Sequence, residues 1–407
     1  MLETIEEFLR HAVEPVLLEP GEEPLALPPD HRAVECIHGR LVIQGWNEKR
    51  NLARRVTGIG PRKPGRLDLE IERFGKRTGS ILLVDRVRAS NQPLERRAAK
   101  LVLRERFRRF LQRQFTGWKI ADLTAEGDLE HSLSPAYPRA LLRKGGSGWA
   151  AIASPDDGGS SDHALTFGLI WLDYLRRRER RLLVEGLCLF LPAGRELTTC
   201  LRIRWLNHQA ARFAVFLHDS PDWEESIDPA NRGNLSTRIE PADASLSRAD
   251  VSLPEAWLEA HIRANVHTVD PGLCPEPIYG QVPAWAAGDR GILDLLCATE
   301  EGRMAILELK ATAEPNLPLQ ALDYWLRVRW HHERGDFARN GYFPGTALTG
   351  ELPRLLLVAP ALQFHPTTEI ILRYFAPEIE VERVGLAVEW QQEIRVMFRL
   401  RGARSPG

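Results

Sequence analysis

The sequence predicts an α/β protein of more than one domain, on three observations. At 407 residues the chain is longer than one ordinary domain. With 43% hydrophobic and 27% charged residues it has globular composition, which excludes bulk disorder. From residue 254 onward, segments of helical and strand periodicity alternate, as in an α/β domain.

The chain opens with MLETIEEFLR, which reads as a short helix. It lacks a cationic segment followed by an apolar core, so no signal peptide is expected. No apolar run approaches the roughly 18–20 residues of a membrane span. The longest runs, at 182–192 and 352–362, have strand length. The expectation is a cytoplasmic protein without membrane contact.

Residues 66–72 (RLDLEIE) alternate apolar and polar, as a strand does. They lead through GKRTG at 75–79 into a second strand at 80–87, giving a hairpin whose tip carries Lys76 and Arg77. Residues 94–115 read as a long helix, with Leu94, Ala98, Leu101, Leu111 and Phe115 on one face. Arg97, Lys100, Arg104 and Arg108 are spaced 3, 4 and 4 on another face, a cationic stripe able to follow a phosphate backbone. A solvated helix face explains the stripe equally well. The net charge of −1 conceals an asymmetry: residues 32–119 hold 23 Lys/Arg against 8 Asp/Glu, a local +15. That is the footprint of a polyanion partner.

Residues 144–162, rich in Gly, Ser and Asp, read as a loop, and 165–217 as a helix followed by strands. Residues 219–250 carry 8 acidic and 3 basic side chains with few large apolar ones, as an acidic linker or long surface loop would. The expected division is therefore a basic α+β module at 1–218 that grips nucleic acid, a linker at 219–250, and a C-terminal domain at 251–407. A faint internal echo accompanies it. Leu172-Asp173-Tyr174 precedes one long apolar run and Leu322-Asp323-Tyr324 precedes the other. The five cysteines are odd in number and include no CxxC, so buried reduced thiols are expected rather than disulfides or a zinc site.

The chemistry concentrates between 254 and 330. Residues 254–266 (PEAWLEAHIRANV) form a helix with Glu255, Leu258, Glu259 and Ile262 at helical spacing. Strands follow at 278–285, 291–296 (GILDLL) and 304–311 (MAILELKA). In a strand, residues i and i+2 share a face, so Glu308 and Lys310 project together. A hairpin to GILDLL brings Asp294 beside them. Two acids and a lysine in apolar strands are costly to bury unless they pair or bind a metal. Carboxylates bracketing an oxygen-preferring cation, with an ammonium beside them, suit Mg²⁺-assisted phosphodiester hydrolysis. A buried ion pair on a sheet is the plainer reading of the same residues. The helix at 317–328 sets Gln320 and Tyr324 four apart on one face. A strand at 354–360, a helix near 367–375 and strands at 380–388 and 395–400 complete the domain.

In order, Asp294, Glu308-Leu309-Lys310 and Gln320…Tyr324 resemble the PD-(D/E)xK nuclease superfamily, and the trailing QxxxY resembles its RecB-like branch. Together with Glu255-x-x-Leu258-Glu259-x-x-Ile262, Gly272-Leu273, Gln281 and Gly291-x-x-Asp294, the segment 254–328 is similar to the nuclease domain of NucS/EndoMS-type endonucleases. The resemblance implies a restriction-endonuclease-like mixed sheet flanked by helices. It implies Asp294, Glu308 and the Leu309 carbonyl as ligands of Mg²⁺ or Mn²⁺, and Lys310 as the catalytic lysine. It further implies Glu259 binding metal through water, and Gln320 and Tyr324 positioning the metal shell or the strand. The partner is then nucleic acid, with DNA favoured and endonucleolytic cutting expected, and a homodimer is common where both strands are cut. Leu293 stands where the family has proline, and no NucS-type DNA-binding domain is recognisable upstream, so substrate choice is not inherited. The alternatives are a non-catalytic nucleic-acid-binding or scaffold protein, and a nuclease subunit that needs a partner. His331-His332 lacks acidic partners at ligand spacing and reads as a surface pair. No GxxxxGK[ST], GxGxxG or GxSxG occurs.

Overall fold

The computed structural model describes all residues except 21, 38, 48–49, 74–76, 89–91, 157–162, 220–222, 233–236, 240–252, 287–288 and 403–407. At some further positions, among them Arg77 and Gln281, only the backbone is described. The chain is α/β, its described residues form three sheets, and it divides into two compact units, Met1–Thr116 and Gly117–Gly407.

The first unit opens with helix α1 (Leu2–His11). An antiparallel sheet follows: β1 (Pro15–Leu18), β2 (Leu25–Ala26), β3 (Arg32–Ile37), β4 (Arg40–Trp46), β5 (Asn51–Lys63), β6 (Arg66–Arg73) and β7 (Arg77–Asp85). Its spatial order is β2-β1-β7-β6-β5-β4-β3. The expected hairpin is β6–β7, paired from Arg66↔Val84 to Arg73↔Arg77. The two-residue period divides the faces: Leu17 and Leu83 pack with Ile5 and Phe8 of α1, whereas Val16, Leu18 and Val84 pack toward Leu94 and Ala98. Those two residues belong to α2 (Gln92–Gln114). The buried stripe of α2 runs through Leu103, Phe107, Phe110 and Leu111, and Leu101, expected on it, is exposed. Rotation of 100° per residue carries position 101 away from the face that holds 103, 107 and 110.

The second unit holds two sheets. The first of these contains β8 (Lys119–Thr124), β9 (Arg139–Lys144), β10 (Ser147–Ala153), helix α3 (Ala164–Arg178), β11 (Leu183–Pro192), helix α4 (Leu197–Ile203), β12 (Arg212–His218) and β13 (Glu224–Ile227). The order is β13-β12-β11-β10-β9-β8, with β10, β11 and β12 parallel. Parallel strands are covered on both faces, which is why β11 is a near-continuous apolar run. The loop expected at 144–162 is in its first half the strand β10, formed because Trp149, Ala151 and Ile152 pair with β9 and β11.

The other sheet begins with β14 (Thr237–Ile239). After helices α5 (Leu253–Ala264) and α6 (Val266–Val269) come β15 (Tyr279–Ala286), β16 (Asp289–Ala298) and β17 (Met304–Leu309). Helices α7 (Leu317–Glu333) and α8 (Asp336–Arg339) lead to β18 (Arg354–Pro360), α9 (Thr368–Leu372), β19 (Val381–Leu386) and β20 (Val396–Arg401). The order is β14 through β20 in sequence, with β17, β18 and β19 parallel and the other pairs antiparallel. All six strands and all three helices expected from residue 254 onward are present.

One apolar core joins both sheets of the second unit, with Ile152, Leu169 and Leu189 on one side and Ile306, Leu322 and Trp325 on the other. The division expected near 219–250 therefore falls inside a unit. The described part of that stretch supplies β13 to one sheet and β14 to the other. Among the described residues the cysteines are free thiols; Cys188, Cys200 and Cys297 are buried as expected, but Cys36 is exposed on β3.

Candidate active site

Strand alternation sets the site's two walls. Met304 and Ile306 of β17 face the larger core with α7, and Ala305, Leu307 and Leu309 face Leu258 and Ile262 of α5. By parity Glu308 belongs to the α7 side. Its carboxylate is fully buried, and neither oxygen has a hydrogen-bond partner. Lys310, just past the end of β17, holds its Nζ 3.9 Å from Glu308 Oε1, too far for a hydrogen bond. The same ammonium lies 3.6 Å from Glu255 Oε1 on α5 and 3.8 Å from Glu314 Oε2.

Asp294 sits on β16, the antiparallel neighbour of β17. Its Oδ2 accepts the Leu309 N–H at 2.8 Å. An extended residue directs its N–H and C=O to the same side, so the Leu309 carbonyl also leaves toward the Asp294 strand. On α7, Gln320 Nε2 donates to the Tyr324 hydroxyl at 3.2 Å, as i and i+4 positions allow. Glu259 approaches from α5 over Gly280 of β15. A Cβ at Gly280 would lie 2.7 Å from Glu259 Oε1, so any side chain there displaces it. The structure thus brings Asp294, Glu308, Lys310, Gln320, Tyr324 and Glu259 to one end of the sheet, between α5 and α7.

The electrostatics follow from crowding acids in a dry place. Burial, reinforced by Asp294, raises the Glu308 pKa well above the usual carboxylate range. Burial also pushes Asp294 up to about 7, against the Leu309 hydrogen bond and the pull of Lys310. Burial works against the Lys310 ammonium, but Glu308, Glu255, Asp294 and Glu314 outweigh it and raise its pKa. Tyr324 is likewise raised, by burial first and Glu308 second, and stays a neutral phenol.

These residues fit a divalent cation. A buried carboxylate with both oxygens unpartnered is costly alone and is relieved by a cation. Asp294, Glu308 and the Leu309 carbonyl offer all-oxygen donors, which hard cations prefer. Among the described residues no group of three or more His, Cys, Asp or Glu forms an all-protein metal cage. Mg²⁺ needs none, since it binds through one or two carboxylates and keeps several waters.

Sequence reasoning did not assign Glu255 and Glu314 to the site. Both carboxylates face Lys310. Glu255 was detectable, standing one helical turn before Glu259 on the same face. The expected surface pair His331-His332 is corrected: His331 is buried, with Nδ1 2.7 Å from Asp336 Oδ2, because α8 folds back on the end of α7. Of the cationic stripe on α2, Arg97, Lys100 and Arg104 are exposed and make no ion pair with a described residue, whereas Arg108 is bound to Glu105 at 2.6 Å. Lys76 and the side chain of Arg77 lie outside the described residues. Several other cations of the basic stretch are locally matched: Arg54 with Glu19, Arg66 with Asp68 and Arg106 with Glu23. No helix among the described residues is long and apolar enough to cross a membrane.

No protein-family model matches the chain, and no curated protein matches it. Among solved structures it is similar to one described as "Structure of EndoMS-dsDNA2 complex", at 19% identity and a TM-score of 0.19. That likeness covers 35% of this chain and 61% of that one, less than two thirds of its length.

Proposed function

We propose that this protein is a Mg²⁺- or Mn²⁺-dependent nuclease that hydrolyses phosphodiester bonds within DNA, on a restriction-endonuclease-like domain formed by residues 251–407. The observation that carries the reading is the fully buried Glu308 carboxylate, without a hydrogen-bond partner, beside Lys310 and on the strand next to Asp294. The family resemblance of the motif favours DNA over RNA and an internal cut over an end-directed one.

In this reading Asp294, Glu308 and the Leu309 carbonyl hold the cation. When bound, the cation supplies charge stabilisation at the scissile phosphate and a lowered pKa for water beside it. Lys310 works as a fixed positive charge rather than a base, because its carboxylate neighbours keep it protonated. It stabilises the negative charge that grows on the phosphoryl oxygens. Glu255 and Glu314 hold that ammonium near Glu308. Tyr324, a neutral phenol tied to Gln320 on the same face of α7, lines the wall of the site beside Glu308. The exposed Arg97, Lys100 and Arg104 offer phosphate contacts whose affinity falls steeply with salt.

The test is cleavage of circular single-stranded and supercoiled duplex DNA with Mg²⁺ or Mn²⁺, comparing wild type with Asp294→Ala and Lys310→Ala. Metal-dependent cutting lost in both variants is expected, and because circles have no ends it marks an endonuclease. Cutting that survives in both variants, or is absent from wild type, overturns the reading.

A further inference from the structure

The two sheets of the second unit follow one plan. Strands β8 to β13 and β15 to β20 lie in the same spatial order with the same directions. Helices α3 and α4 occupy the connections that α7 and α9 occupy in the second set. Register makes the equivalence residue by residue. Ala153 pairs with Phe190 as Leu309 pairs with Val358. The next amide repeats too: Ser154 N–H donates to the Phe190 carbonyl at 2.9 Å, and Lys310 N–H to the Val358 carbonyl at 3.1 Å. Both receiving strands end two residues later on a proline, Pro192 and Pro360. The Leu-Asp-Tyr echoes fall on α3 and α7.

The repeats also contact each other reciprocally. Arg202 at the end of α4 grips Asp323 of α7 in a bidentate pair at 2.9 and 2.7 Å. Its counterpart Arg373, just past α9, reaches Asp173 of α3 at 3.5 Å. Between them Leu206 and Phe375 form a single antiparallel bridge, flanked by Asn207 N–H to the Tyr374 carbonyl at 2.7 Å and Ala376 N–H to the Trp205 carbonyl at 2.9 Å. A contact from i to j that recurs from j to i is the signature of a two-fold dimer. Here it lies within one chain.

Among the described residues the acid and lysine set is present in only one of the two repeats. Arg139 pairs with Ile152 in the first repeat. Continuing the β16–β17 register by one residue from Leu295↔Leu307 sets Asp294 opposite Glu308. Arg139 therefore stands for Asp294, Ile152 for Glu308 and Ser154 for Lys310. Arg139 is buried, donates to the Glu126 carbonyl at 2.7 Å and lies over the Trp171 ring. A buried guanidinium where the other repeat has a carboxylate repels a divalent cation.

We infer that the second unit is a fused two-fold pair with one live and one empty centre, so that a single chain severs one strand of duplex DNA and leaves a nick. The inference rests on the nuclease reading above. In the step, a water oxygen joins phosphorus and one P–O ester bond breaks. The departing oxygen takes up a proton, leaving one hydroxyl end and one phosphate monoester end with no co-reactant besides water.

The experiment has two arms on the full chain. In the first, supercoiled duplex circles are incubated with Mn²⁺ and the products followed in time. Open circles are expected to accumulate first, at a rate proportional to protein concentration, with linear DNA only as a later product of second nicks. Linear DNA formed from the earliest times, or a rate rising as the square of concentration, overturns the single-chain cut. In the second, Mn²⁺ alone is titrated by calorimetry into wild type and into the near-isosteric double variant Asp294→Asn, Glu308→Gln. Binding is expected to weaken at least tenfold, with no site remaining of wild-type affinity. A site that survives unchanged overturns the claim that the first repeat is empty and leaves the nuclease reading standing. Absence of both Mn²⁺ binding and cutting in wild type takes down both.

Discussion

The two repeats of the second unit solve one packing problem in opposite ways. At equivalent positions the first has an apolar Ile152 and a guanidinium whose two terminal nitrogens donate to the Ser134 and Glu126 carbonyls, whereas the second has a Glu308 carboxylate with no hydrogen-bond partner and an Asp294 pushed up to about 7. The fold does not require buried acids at that spot, because its other copy does without them. Their presence in the second repeat is therefore not a demand of the fold, and buried acids of raised pKa gather at functional sites.

The comparison breaks most visibly in activity. Giving the second repeat the residues of the first, Asp294→Arg with Glu308→Ile, is expected to lower plasmid cleavage on the order of 10³-fold or more. Retained activity would mean that the cut is made elsewhere. The mirrored single changes come next. Ile152→Glu buries a carboxylate without a ligand and is expected to cost roughly 3 kcal/mol in urea unfolding. Glu308→Ile is expected to stabilise the metal-free protein by about 1–3 kcal/mol. Two changes of the same sign would mean that the environments are not equivalent.

The paired arginines sharpen the symmetry. Arg202 is 3% exposed and Arg373 is 37% exposed. Arg202→Ala strands Asp323 and is expected to cost about 3 kcal/mol. Arg373→Ala, in a wetter pair where Arg177 also reaches Asp173, should cost about 1 kcal/mol or less. Equal losses would contradict the difference in burial.

The smallest effect is in pH. Asp294 and Glu308 have pKa values raised above their unfolded values, so the folded state binds protons more tightly than the unfolded one. Their contribution is complete below about pH 4, the unfolded carboxylate range. For Asp294 it is lost as pH rises through its folded value near 7. The metal-free protein should therefore melt at lower temperature at pH 8 than at pH 5, judged against Glu308→Ile to remove the background. Mg²⁺ should recover more melting temperature at pH 8 than at pH 5, since it binds the ionised carboxylates. A Mg²⁺ shift independent of pH would remove these two acids from the cation site.

Much of the candidate site was legible because its signals are local. Glu308 and Lys310 share a strand face by alternation, and Gln320 and Tyr324 share a helix face by one turn. Glu314 was not legible as a partner of Lys310, because the turn after β17 that brings it back has no periodic pattern. His331 was misread because its partner Asp336 comes from α8, whose fold-back the sequence did not announce. The repeat left only Leu-Asp-Tyr in the sequence. Its other equivalences, Ile152 with Glu308 and Arg139 with Asp294, join unlike residues that only register can match.

The amino-acid sequence by itself determined the element types, the chemistry-bearing residues and their order, because periodicity and spacing act over a turn or a strand. The tertiary structure alone decided that Glu308 is buried without a hydrogen-bond partner and that Lys310 is shared among three acids. It alone decided that the chain carries the same sheet twice around a common core. Those are properties of long-range pairing, in which residues separated by 121 positions, such as Arg202 and Asp323, meet because helices pack and not because the sequence repeats.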